Sequence, residues 1–232
     1  LARWIIPLAI TRPLNIDNKT LSLFATMTFF VSEQLHVTAG LRRTEVDKDY
    51  MRPPGGGTNG PHGFADFKLD FAHEADALAS LVPDTYGENA TLPSLMVQYF
   101  SDENSMIYAS YSDGFKSGGY EALGVYKANR GSYGSEAVDA YEFGYKTSND
   151  KMKMSVNYFH SEYDGNQLSQ YVYPDTGGVP YTTTSNIPST NKGFELELSY
   201  LLTDSIIADL SFTNLDATYD SYEGGTLSLI HI

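Results

Sequence analysis

Residues 193–212, GFELELSYLLTDSIIADLSF, alternate in polarity with a period of two. Phe194, Leu196, Leu198, Tyr200 and Leu202 fall on one face of an extended chain, and Gly193, Glu195, Glu197 and Ser199 fall on the other. After Thr203-Asp204-Ser205 the pattern resumes, with Ile206, Ala208, Leu210 and Phe212 set against Asp209, Ser211 and Thr213. Successive side chains of a strand point to opposite faces, so this stretch reads as two strands and a tight turn. The alternation leaves two environments open. In a soluble sandwich the apolar face is inside and the glutamates see water. In a membrane barrel the apolar face meets lipid and the glutamates line a wet lumen.

The same pattern predicts eight strands in four pairs: 21–31 with 35–48, 92–101 with 105–116, 136–148 with 151–163, and 193–203 with 206–219. Within each pair the connection is two or three polar residues of types that favour tight turns. Between pairs the connections are long, roughly 49–91, 117–135 and 164–190, and rich in Gly, Pro, Asn and Asp, as in RPPGGGTNGPHG and PDTGGVP. Short turns at one end and long loops at the other is the layout of an outer-membrane barrel. The strands also sustain alternation for about a dozen residues, against the usual ~5–6 of soluble strands. A tilted strand needs ~9–11 residues to cross hydrocarbon. These features place the apolar face against lipid, with a soluble β-sandwich binding module as the alternative.

Composition narrows the function. The chain has 232 residues with 18 Tyr, 12 Phe and 1 Trp, a tyrosine load suited to sites apolar at one end and wet at the other. It has no Cys, which removes disulfides, thiolate metal sites and cysteine nucleophiles. A formal net charge of -14 argues against nucleic acid as a partner. No nucleophile elbow, His-Glu-x-x-His motif or phosphate loop is present, and neither His73-Glu74-x-Asp76 nor His62 has metal-ligand spacing, so no enzyme, metal or cofactor is expected. HEADALASLV (73–82) reads as a helical turn within the longest loop. The chain starts at Leu1 without a secretory signal and reads as part of a longer one. Residues 1–225 are expected to form one partial barrel domain, and 226–232 reads either as a non-native tail or as the start of another strand.

Three stretches carry a resemblance: IYASYSDGFKSGGYEA (107–122), DAYEFGYKTSNDKMKMSVNYFHSEYDGNQLSQ (139–170) and NKGFELELSYLLTDSIIADLSFTNLDATYDSY (191–222). The Tyr-x-x-Tyr-Ser-x-Gly-Phe-Lys-x-Gly-Gly strand end, the Tyr-Glu-x-Gly-x-Lys strand and the Gly-x-Glu-x-Glu strand follow in the order found in TonB-dependent outer-membrane receptors, which the chain resembles over most of 20–222. LHVTAGLRRTEVDKDY (35–50) fits an earlier strand of the same barrel. The resemblance implies an all-β fold: an antiparallel transmembrane β-barrel segment, about eight strands of a barrel of about 22, with short periplasmic turns and long extracellular loops. It implies the bacterial outer membrane, uptake of a scarce ligand such as a ferric siderophore, and energy supplied by the TonB complex acting through a plug domain not seen in this chain. A passive outer-membrane pore or a small eight-stranded barrel is the other membrane reading.

Within that frame Arg42, Lys116, Glu142, Lys146, Glu195 and Glu197 are expected to face the lumen. Tyr120, Tyr126, Tyr133, Tyr171 and Tyr173, in or near the long loops with Tyr50, are expected either to stack on a flat ligand or to sit in the outer aromatic girdle. Gly118-Gly119 permits close backbone approach at a loop base, which reads either as a ligand gate or as a plain strand exit.

Overall fold

Eight long strands pair in chain order in the computed structural model, which describes residues 15–51, 85–120, 132–172 and 181–220. They are β1 (Asn15–Phe30), β2 (Leu35–Met51), β3 (Thr85–Asp102), β4 (Ser105–Lys116), β7 (Glu136–Ser148), β8 (Met152–Val172), β9 (Tyr181–Thr203) and β10 (Ile206–Tyr219). A two-residue pair, β5 (Gly119–Tyr120) and β6 (Ser132–Tyr133), lies between β4 and β7. The large sheet runs β1-β2-β3-β4-β7-β8-β9-β10, every pair antiparallel. β1 and β10 are its two edges and do not pair with each other, so these strands do not close a small barrel by themselves.

The four tight turns share one end of the sheet, and each is capped by a side chain at its start. Ser32 Oγ accepts from the Gln34 and Leu35 amides. Asp102 Oδ1 accepts from Asn104 N at 2.8 Å. Asn149 Oδ1 accepts from Lys151 N and Met152 N, and Thr203 Oγ1 from Ser205 N. Such Asx- and Ser/Thr-type turns satisfy amides that the ladder cannot reach.

The register puts the apolar stripes of all eight strands on one face. Leu23, Ala25 and Met27 lie beside Leu41 and Ala39, then Leu95, Val97, Ala109, Phe143, Tyr158, Leu196 and Leu210. One row of partners across the sheet reads Met27, Ala39, Leu95, Tyr111, Tyr141, His160, Lys192, Asp216. It climbs from mid-band to charged residues between β1 and β10. This is the drift expected when tilted strands cross a slab whose apolar band stays level. Tyr111 and Tyr141, with ring centroids 5.1 Å apart, mark the band's upper rim.

That apolar face is bare. Leu23 is 77% exposed, and Phe143, Leu202 and Leu210 are more than half exposed. The apolar side chains of the sheet that are buried, Val46, Tyr50, Tyr108 and Ile187, belong to the opposite, polar face. No second large sheet covers the apolar face among the described residues, which removes the soluble sandwich. A bare apolar surface spanning eight strands is far larger than a soluble monomer tolerates, and it fits hydrocarbon.

The expected loops need correction at three places. β3 starts at Thr85 rather than 92. β8 runs to Val172 and β9 begins at Tyr181, so most of 164–190 is strand rather than loop. Within 117–135 sits the β5–β6 pair. The strand signal in the sequence is a contrast between faces, and lipid imposes it. Beyond the membrane both faces are wet and the contrast fades, but ladder hydrogen bonds continue. The turn at 73–82 and the tail at 226–232 lie outside the described residues.

In a full-length parent, Leu196→Arg is expected to destabilise the barrel by roughly 2–4 kcal/mol, as for a cation near the bilayer midplane. Thr213→Arg, on the polar face of the neighbouring strand opposite Glu195, is expected to change stability by about 0.5 kcal/mol or less. Urea unfolding in lipid bilayers measures both.

Candidate functional site

The polar face carries its side chains in cross-strand groups. On β7, Glu142, Gly144 and Lys146 are two residues apart and so share that face, and Gly144 pairs directly with Tyr108 of β4. The Tyr108 ring lies over the glycine: a Cβ there would come within 2.6 Å of three of its atoms. Its hydroxyl donates to Glu142 Oε1, and the Lys146 ammonium sits 4.9 Å from its centroid. The Tyr-Glu-x-Gly-x-Lys strand is therefore a seat for one aromatic ring between an acceptor and a cation. Gly193 of the Gly-x-Glu-x-Glu strand repeats the joint with Phe159, whose ring a Cβ would meet at 2.5 Å.

A second group forms where β2 and β3 project beyond the apolar band. There the outward residues are Glu45, Asp47 and Asp49, and the inward ones are Val46, Lys48 and Tyr50. The exit of β4 turns inward onto them. Lys48 Nζ donates to Gly118 O at 2.5 Å. Glu88 Oε2 accepts from Tyr86 Oη at 2.6 Å and from Gly118 N at 3.3 Å. The Lys48 ammonium also lies over the Tyr86 ring at 5.8 Å. Tyr120 packs edge-on against Tyr50 at 4.2 Å between centroids, with Tyr86 behind. Burial lowers the Lys48 ammonium, partly opposed by the Glu88 charge. Burial, then the hydrogen bond to Glu88, raises the Tyr86 phenol.

The other flank of the same connection is held by β8 and β9. Gln167 Nε2 donates to Ser117 O at 3.1 Å and to Gly134 O at 3.0 Å, and Gln167 N donates to Glu136 Oε2 at 2.8 Å. Asn186 Oδ1 accepts from Gly134 N at 2.7 Å, and its amide nitrogen donates to Gly134 O and Ser135 O at 3.0 Å. A bulge between Tyr163 and Asn166, with Gly165 at φ 72, brings Gln167 there.

The structure places the expected residues as follows. Arg42, Lys116, Glu142, Lys146, Glu195 and Glu197 all lie on the polar face. Glu142 and Lys146 are drawn together on Tyr108. Glu195 accepts from Asn157 Nδ2 at 3.3 Å, and Glu197 stands opposite Ser155 and Ser211. Arg42 lies 5.9 Å over the Phe24 ring. Lys116 pairs with Glu136 at 3.8 Å while largely exposed, a contact worth little. Tyr120 is only 7% exposed, so its ring anchors the loop base rather than presenting a surface. Tyr133 pairs with Gly119, and Tyr171 lies on β8 opposite Thr182. Tyr126 and Tyr173 are outside the described residues. Lys48, Tyr86, Glu88, Gln167 and Asn186 are not anticipated by sequence reasoning, because all but Lys48 lie in stretches read as loop. Their only sequence signal is the alternation of Lys48 and Tyr50, and of Tyr86 and Glu88, onto one face.

A single antiparallel sheet with a lipid-facing band, turns at one end and projecting strands at the other is the wall of an outer-membrane β-barrel. Residues 5–230 match the family described as TonB dependent receptor-like, beta-barrel, and the chain belongs to that family. Its members are transporters of the bacterial outer membrane, not enzymes, and this is an outer-membrane protein. Among solved structures, it is similar to the ferric yersiniabactin uptake receptor FyuA from Yersinia pestis, at 15% identity and TM-score 0.67, over 89% of this chain and 28% of that one. The copper transporter OprC matches at 15% identity and TM-score 0.67, over 89% and 30%. The ferripyoverdine receptor of Pseudomonas aeruginosa matches at 19% identity and TM-score 0.57, over 92% and 24%. The likeness is one of fold, and the chain spans less than a third of each of these structures.

Gly144→Ala is expected to unseat the Tyr108 ring and cost about 1–3 kcal/mol. Combined with Tyr108→Ala, the loss should fall short of the sum of the two, because both remove the same joint. Unfolding midpoints of the two single variants and the double variant, in the full-length parent, check this.

Proposed function

We propose that the chain is a wall segment of an active-transport receptor, which captures a scarce ligand outside the cell and passes it along the polar face. A ferric siderophore is the ligand class, and the TonB complex supplies the energy through parts of the receptor beyond this segment. The observation that carries the reading is the division of one sheet into a bare apolar face and a face of partnered charges, in a chain of this family. Two of the similar structures are named for ferric yersiniabactin and ferripyoverdine, which favours an iron chelate over other cargo.

On this reading residues 1–225 are one partial barrel domain. Arg42, Lys116, Glu142, Lys146, Glu195 and Glu197 line the lumen or touch what fills it. Tyr126, Tyr133, Tyr171 and Tyr173 are the candidates for stacking on the chelate, and Tyr120 positions the loop base.

Two measurements on the full-length parent test it. Spin labels at 196 and 198 are expected to relax with oxygen, and labels at 195 and 197 with a water-soluble agent; the reverse pattern ends the barrel reading. Cells should accumulate at least one of a panel of radio-iron siderophores, catecholate, hydroxamate or phenolate, and a protonophore should abolish that uptake. Uptake indifferent to the protonophore would mark a passive pore instead.

A further inference from the structure

Gly118 is gripped from both sides by opposite charges. Its carbonyl accepts from the Lys48 ammonium of β2, and its amide donates to the Glu88 carboxylate of β3. Tyr86 ties the two together, its hydroxyl on Glu88 and its ring under Lys48. An ordinary strand exit leaves such backbone groups to water. Here they are buried, and the approach is possible only because residue 118 has no side chain: a Cβ would lie 2.4 Å from Tyr86 Oη and 2.5 Å from Tyr133 O. The second contact is backbone and cannot move aside cheaply.

We propose that Lys48 and Glu88 are positioning residues that clamp Gly118 and so hold 117–120 and 132–135 turned in over the polar face. Gln167 and Asn186 hold the opposite flank, so the connection braces β2–β3 to β8–β9 across the intervening strands. Charge-assisted hydrogen bonds are the stronger kind; Lys48 and Glu88 are half-buried and the Gly118 they hold is buried, which limits competing water. Releasing the Lys48–Glu88 side leaves the Gln167 bond to Ser117 O holding 117–120 from the opposite flank, while Asn186 keeps Gly134 and Ser135 tethered. The clamp thereby sets the aperture on that side of the sheet. That consequence for ligand entry rests on the transport reading, whereas the clamp itself does not.

The test uses the full-length receptor in outer membranes, with a single cysteine in place of Ser117 and a membrane-impermeant maleimide. Ser117 is half-buried, and labelling of the parent should be slow. Lys48→Met, Glu88→Ala and Gly118→Ala are each expected to raise the rate about tenfold, the equivalent of losing one charge-assisted hydrogen bond. Lys19→Met, which removes a cation from the outward face of β1, is expected to leave the rate unchanged. Heat-modifiable mobility on a gel confirms that each barrel is folded. Where one variant does not assemble, the others decide, Glu88→Gln among them, since it keeps the shape and loses the charge. Folded variants that label at the parent rate overturn the clamp. A failure of the transport reading would show instead in the siderophore uptake, absent or indifferent to the protonophore, and would leave the labelling rates as expected here.

Discussion

Inside hydrocarbon there is no water to satisfy a backbone amide or carbonyl, so every such group must find a partner in a neighbouring strand. The rest of this structure follows from that requirement. The strands are long because each must carry its ladder across the slab. They follow one another in a simple meander because turns of two to four residues leave few groups unpaired at the near end. The two edge strands, β1 and β10, each have one bonded side among the described residues, and in a membrane each needs a further neighbour.

The same solvent inverts the usual distribution of side chains. Apolar groups have no reason to leave the outside, so Leu23, Phe143 and Leu210 stay bare. Packing moves to the wet face, where polar groups have partners to choose from. Tyr108 over Gly144 and Phe159 over Gly193 fill the pleat with rings that lean on glycine. Glu142, Lys146 and Glu195 take partners on the same wall. These groups stiffen the face along which a ligand is proposed to move, and they leave its charges ordered rather than free.

Above the membrane the constraint relaxes, and a different balance holds. Both faces are wet, so the pattern of apolar and polar residues no longer matters for pairing. β8 and β9 nevertheless stay paired beyond the band, from Asn166 with Ile187 up to Val172 with Tyr181. The strand ends then serve as a rigid frame against which the β4–β7 connection folds. Lys48, Tyr86 and Glu88 on one side and Gln167 and Asn186 on the other reach it from that frame. Precise placement of a loop base depends on this, because a loop held only by its own residues would have many conformations to lose.

Alternation alone determined that eight strands form, where four turns fall, and which residues share a face, because a period of two follows from the geometry of any extended chain. It placed Glu142, Lys146, Glu195 and Glu197 on one side together. The family was also legible, through three strand motifs whose order carries more information than any one of them. Tertiary structure alone decided how far the strands run past the membrane, since no contrast of polarity marks a strand that is wet on both sides. It alone joined Tyr108 to Gly144, and Lys48 and Glu88 to Gly118, because cross-strand register and loop direction are set by partners 30 to 70 positions away in the chain. No local pattern of residues records such distant pairings.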